Sequence, residues 1–410
     1  MARHYSPKSF LRQAPSELLR DYLTRKHVAS RVQWRYLGER EKKVDVLMQA
    51  IGAAPEKARQ EIDTDFRRIY RMADEGGTQT LLDEGRDVHH GVDFGADFDR
   101  MGGHLEKAFW TFLHHPDVFR VAQRFHYADQ LSSWEILAGI PECDPHTTKE
   151  TAKRLEDDLA EYYWRAQARG HNCKVDHYRR ESKLYWFAYP EDYAESRMVW
   201  NEKHELTSVT QRPAFEVIFV YHERDRWLDM HAKGASDTRR ELQLIFGRAI
   251  LGVDLSAVDA EGVAYDLNRF LDPGFQFTLQ PEDGVESALL RSLRIRVMGN
   301  TGRRITLEAT PSKDPEGVRK MLQVVLKAKG FSSDLAYADR ASLQLRFRSG
   351  AAAEKRLPIR LSHPKFCSLK HDEEDDKARE LLRRWGIDVS VRDEDGSSKR
   401  RRNAQYVLRP

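Results

Sequence analysis

The spacing of apolar residues along the chain changes near residue 170. Before that point they recur at helical intervals: Leu18, Leu19, Tyr22 and Leu23; Val44, Leu47, Met48 and Ile51; Ile62, Phe66, Ile69 and Tyr70; Leu105, Phe109, Trp110, Phe112 and Leu113. Each set marks the buried stripe of an amphipathic helix. Ser6-Pro7 reads as a helix start, because proline lacks only an N–H that the first turn leaves unused. Thr147 or Thr148 opens a long helix through Leu155, Leu159, Tyr162 and Tyr163 that ends near Gly170. Residues 1–170 are expected to form a helical bundle for oligomerisation or partner contact.

Past residue 170 the period becomes two. Cys173–Arg180 and Leu184–Tyr189 alternate like strands, and Phe215–Tyr221 is a β-branched and aromatic run suited to a buried strand. A strand–strand–helix order then occurs three times. Phe215–Tyr221 and Trp227–Ala232 precede a helix over 237–251, and Leu293–Met298 and Arg304–Ala309 precede one over 315–329. Leu343–Arg348 and Leu357–Leu361 precede a third helix over 373–385, which alternatively belongs to a winged-helix-like end. The expected class is α+β: a helical bundle, then antiparallel β-hairpins backed by helices over 171–390. Residues 252–286 read as mostly irregular connection, and 391–410 as a mobile, polar, basic tail.

Alternation also sorts the strand residues by face. Leu293, Ile295, Leu307, Leu343, Leu345, Ile359 and Leu361 belong to an inner, helix-covered set. The opposite set carries Arg294, Arg296, Arg304, Arg346, Arg348, Arg356 and Arg360, with Glu308 as its carboxylate. From Ser287 to Lys365 there are 17 Lys and Arg against 6 Asp and Glu, a net of +11, so with +3 overall the remainder carries 3 − 11 = −8. Like charges crowded across strands repel, whereas guanidinium forks suit a row of phosphates. Lys399, Arg400, Arg401 and Arg402 in the tail would add long-range attraction. The competing explanation is internal neutralisation by acidic segments such as Asp87–Asp99 and His371–Asp376.

Composition narrows the field further. Over 410 residues, 40% hydrophobic and 32% charged content excludes wholesale disorder, and no apolar window approaches the length of a membrane span. The opening residues lack a secretory apolar segment, and three cysteines, Cys143, Cys173 and Cys367, fit a reducing compartment; a cytoplasmic location is expected. The excess of 47 Arg over 21 Lys suggests a GC-rich, bacterial genome.

Signatures of common enzymes are missing from the sequence. It contains no P-loop, no Gly-x-Gly-x-x-Gly at a strand–helix turn, no Gly-x-Ser-x-Gly elbow and no His-Glu-x-x-His helix. His89, His90, His104, His114, His115 and His126 interleave with aspartates over 87–129, but without ligand spacing. Cys143, His146, Cys173 and His177 have the ligand types of a zinc site, with a long helix between the two pairs. Asp176 with Glu181 and Lys183 has the residue types of a metal-dependent nuclease, at a short separation. The expectation is a nucleic-acid-binding protein that grips duplex DNA through its phosphates, with no bound metal or cofactor, no membrane and no intrinsic catalysis. Alternatives are a metal-dependent nuclease or phosphohydrolase, and an adaptor whose basic face takes an acidic protein partner.

Overall fold

The structure, a computed structural model, describes residues 5–389 apart from 33, 35–39, 88–89, 132–133, 181, 202–204, 225, 259–263, 298–303, 311–313, 328–335, 349–354, 364 and 371–372. The architecture is α+β, with helices and three antiparallel sheets, and the chain divides into two compact units, Met1–Leu131 with Ala194–Gln211 and Ser132–Tyr193 with Arg212–Pro410.

The first unit holds α1 (Pro7–Gln13), α2 (Ser16–Arg25), α3 (Arg40–Gly52), α4 (Glu56–Arg71), α5 (Glu75–Arg86), α6 (Gly95–Asp99), α7 (His104–His114) and α8 (Pro116–Gln130). The helical stripes meet in one core in which Phe10, Tyr22, Phe66 and Phe109 interlock, Phe10 stacking on Phe66 at 4.3 Å between centroids. Tyr22 satisfies its buried hydroxyl by donating to Asp65 Oδ2 at 2.8 Å. The hairpin of β4 (Glu195–Trp200) and β5 (Leu206–Gln211) falls in this unit.

In the second unit the first sheet has the order β1-β7-β6-β3-β2, built from β1 (Glu135–Leu137), β2 (Cys173–Arg180), β3 (Lys183–Pro190), β6 (Val217–His222) and β7 (Trp227–His231). One face packs on α9 (Lys149–Gln167) and α10 (Ser236–Phe246), which a π turn over Gly247–Leu251 extends. Thr148 caps α9 with its side chain, and Glu156 of α9 accepts hydrogen bonds from Lys174 Nζ at 2.7 Å and the Val175 amide at 2.9 Å. This helix, the last element of the expected N-terminal bundle, lies in the second unit.

The second sheet has the order β12-β11-β10-β8-β9, from β8 (Val285–Val297), β9 (Arg304–Glu308), β10 (Ala336–Phe347), β11 (Lys355–Ser362) and β12 (Phe366–Cys367). Its inner residues pack on α11 (Gly317–Lys327) and α12 (Glu373–Arg384). A Cβ on Gly317 would stand 2.7 Å from that of Ala309, so glycine is what lets α11 approach the end of β9.

The threefold strand–strand–helix order is present in the chain but is not a repeat in space. The β6–β7 hairpin belongs to the first sheet with β2 and β3, whereas β8–β9 and β10–β11 share the second, and β12 intervenes before α12. Both β8 and β10 are about twice the expected length, extending on the N-terminal sides of Leu293 and Leu343 with β-bulges along their pairing. Among the described residues no helix is long and apolar enough to cross a membrane.

Candidate nucleic-acid interface

Alternation on the second sheet places its two residue sets on opposite faces. Leu293, Ile295, Leu343, Leu345, Ile359 and Leu361 are buried in the inner core. Arg296, Arg304, Arg348, Arg356 and Arg360 are exposed, and Arg294 and Arg346 are half-buried. Strand register sets arginines opposite one another three times: Arg346 faces Arg356, Arg296 faces Arg304, and Arg294 faces Arg340. Opposed residues on neighbouring antiparallel strands have Cβ atoms only about 5 Å apart, where like charges destabilise the sheet. Pro358 sits on β11 where β12 has not yet begun to pair, an edge position at which its missing N–H leaves no ladder bond unmade.

Three members of this face escape the period-two sorting. Arg340, exposed, and Tyr337, whose ring meets His363 edge-on at 6.0 Å, lie on the part of β10 that precedes Leu343. Asp339 lies at the register shift between Ala338 and Arg340. A bulge residue breaks the alternation, so its face is not readable from sequence. Glu308 is therefore not the only carboxylate on the face. Asp339 accepts hydrogen bonds from Arg294 Nε and Nη2 and from Arg296 Nε, each at 2.6 Å. Burial alone would raise the Asp339 pKa, but the two guanidinium groups outweigh it and hold the carboxyl below its ordinary value. Arg294 is thereby tied down at 14% side-chain exposure, while Arg296 keeps 51%. Arg304, Arg340, Arg348 and Arg360 have no carboxylate in ion-pair range among the described residues.

Three described acidic residues of the 371–376 segment have partners off the outer arginine set. Glu374 pairs with Lys355 at 2.5 Å, Asp376 pairs with Lys183 at 2.5 Å, and Asp375 accepts from the Lys370 amide. In the Asp87–Asp99 segment, Asp93 takes Arg86 at 3.1 Å and caps Gly95. Lys399, Arg400, Arg401 and Arg402 lie outside the described residues.

The metal and nuclease candidates have ordinary surroundings. Cys143 Sγ lies 3.6 Å from the Tyr221 hydroxyl, the His146 amide donates to Ile250 O, and burial pushes the Cys173 thiol up to about 12. Among the histidines, His90 meets Glu84 at 3.1 Å, His104 shares a 2.7 Å hydrogen bond with Thr78, and His126 lies 3.4 Å from Asp74. His114 and His115 both tilt against Trp110; His89 lies outside the described residues, as does Glu181 of the nuclease trio, whose Lys183 is the residue paired with Asp376. Among the described residues, no group of three or more His, Cys, Asp and Glu is placed to hold a metal ion.

A second charged cluster, unseen in the sequence, lies between the two sheets. His222 Nε2 and Asp229 Oδ2 are 3.1 Å apart on adjacent strands, with Asp229 fully buried. Arg379 of α12, 3% exposed, donates to Leu369 O and Lys370 O at 3.3 and 3.2 Å, and its charge is favoured by Asp229. Arg383 lies 4.5 Å over the Trp227 ring. Burial lowers the pKa of His222, and the adjacent Asp229 only partly restores it. The sequence holds one signal for this cluster: Asp229 within the otherwise apolar run Trp227–Met230. No protein-family model matches the chain, and no curated protein is significantly similar to it.

Proposed function

We propose that the arginine face of the second sheet binds the phosphate backbone of a nucleic acid, with duplex DNA as the ligand and no chemistry performed on it. The observation that carries this is the triple opposition of arginines across neighbouring strands, Arg346–Arg356, Arg296–Arg304 and Arg294–Arg340. Such an arrangement crowds like charges, and Asp339 accepts from Arg294 and Arg296 while Arg304, Arg340 and Arg360 have no carboxylate in ion-pair range among the described residues. Phosphates would offset the charge of these exposed guanidinium groups, whose forks match them in geometry. Folding does not need arginine there, because the inner residues alone bury the sheet. A nucleic-acid ligand and three unpaired cysteines fit a bacterial cytoplasm, and the helical unit would serve self-association or partner contact.

The test is a binding series on duplex DNA at several salt concentrations. Counterion release predicts that log affinity falls against log salt with a slope near −0.9 per phosphate neutralised, so about four contacts would give a slope of about −3.6. The combined change Arg304→Glu, Arg356→Glu and Arg360→Glu should remove binding with the circular dichroism spectrum unchanged. Arg296 is left alone because a glutamate there would crowd Asp339. Unchanged affinity in that folded triple variant would eliminate the face, and tight binding of an acidic protein in place of DNA would favour the adaptor.

A further inference from the structure

The arginines of this face form two groups separated by a band whose paired positions carry no arginine. Arg346 and Arg356 lie directly opposite each other toward one end of β10 and β11. Toward the other end an oblique row crosses four strands, from Arg360 on β11 through Arg340 on β10 and Arg294 and Arg296 on β8 to Arg304 on β9. Between the groups the register places Ser342, Gln344, Pro358, Ser292 and Leu289, with the carboxylate Glu308 opposite Ser292 at the β9 edge. At about 3.3 Å per residue, the four steps from Arg356 to Arg360 span about 13 Å, and the six from Arg346 to Arg340 about 20 Å.

Resting on the proposed function, we infer that the two groups hold the two backbones of one duplex, on opposite sides of its major groove. A single strand would be served by one continuous track of charge along its backbone, with aromatic side chains on which bases stack. Here the charge is interrupted, and Tyr337, at the far end of β10, is the one aromatic among the outward positions of β10 and β11 that pair in this region. The separation exceeds the roughly 6 Å width of the minor groove and suits phosphates on the rims of the roughly 12 Å major groove. Gln344 is buried, and Ser342, Ser292 and Pro358 are short side chains, so the band does not reach the groove floor. Phosphate contacts without base contacts carry no direct sequence information, so the grip is insensitive to sequence.

Phosphate-ethylation interference on a duplex of about 20 base pairs, with the full-length protein, tests this. The expected result is two clusters of interfering phosphates, one on each strand, facing each other across one major groove. Arg356→Glu should erase one cluster, and Arg304→Glu with Arg360→Glu the other. The same duplex should bind at least tenfold more tightly than either of its strands alone. One cluster confined to a single strand, clusters facing across the minor groove, or equal affinity for duplex and single strand would overturn the two-backbone grip while leaving backbone binding in place. Failure to bind any nucleic acid at low salt would overturn both.

Discussion

The two five-stranded sheets of the second unit treat charge in opposite ways. In the first, β6 is buried at every position and Leu184–Ala188 of β3 are buried as well, so both faces are covered. In its buried middle, charge enters as a cluster: His222 against Asp229, with the charge of Arg379 of α12 favoured by Asp229, while the ion pairs of β1, β2 and Lys183 sit at the sheet's margins. In the second sheet one face is covered and the other carries arginines set against arginines. A buried charge must find its partner within the fold, because desolvation costs several kcal/mol per ion and only pairing and hydrogen bonds offset it. An exposed charge keeps its water, so its neighbours can be chosen for an external ligand. The buried ions of the first sheet are therefore structural, whereas Arg304, Arg340, Arg348 and Arg360 of the second have no carboxylate in ion-pair range among the described residues.

The largest effect expected from this contrast is on stability. Asp229→Ala removes the fully buried carboxylate that meets His222 at 3.1 Å and favours the buried charge of Arg379, and should cost about 3–5 kcal/mol, the usual penalty for leaving a buried charge uncompensated. Chemical denaturation followed by circular dichroism measures it. A loss no larger than that of an exposed arginine variant would break the comparison.

A smaller and distinguishing effect is expected from pH. His222 has a pKa lowered in the folded chain, so the unfolded chain takes up its proton first as pH falls. Stability from this group is therefore complete well above the ordinary histidine value of about 6.5 and declines as pH drops below it. Asp339 has a folded pKa below its ordinary carboxylate value, so its contribution is present above about 3.9 and is lost as pH falls further, through the folded value. His222→Gln should flatten the denaturation midpoint between pH 6.5 and 5, and Asp339→Asn should flatten only the acid limb below pH 4. Interchanged limbs would show that the two clusters had been assigned to the wrong sheets.

The smallest effect belongs to the exposed face. Arg356→Ser, which ends the direct opposition with Arg346, should leave stability within about 0.5 kcal/mol of the parent. The same change should weaken duplex binding about tenfold, or about 1.4 kcal/mol. A stability loss several times larger would mean that Arg356 holds the fold.

Much of the scaffold is legible in the apolar pattern. The stripes of α4 and α7, the proline start of α1, the threonine cap of α9 and the alternation of β8, β10 and β11 are local features, decided by residues within a few positions of one another. Six of the seven arginines expected on one face of the second sheet, all but Arg348 beyond the end of β10, occupy paired strand positions, because period-two geometry dictates facing wherever the strand is regular. The same rule fails at Asp339, where a bulge turns one residue out of phase, and at Arg340 and Tyr337, which precede the apolar run from Leu343.

What the sequence by itself determined is thus the class of fold, the helix starts and stops, and which strand residues face inward. Only the tertiary structure decided which hairpins share a sheet, that α9 packs on β2, that Asp339 clasps Arg294 and Arg296, and that the charge of Arg379 is favoured by Asp229, 150 positions away in the chain. The physical reason is range. Periodicity and capping are interactions between near neighbours along the chain, whereas sheet order, bulge register and the pairing of buried charges depend on elements that come together only when the core closes.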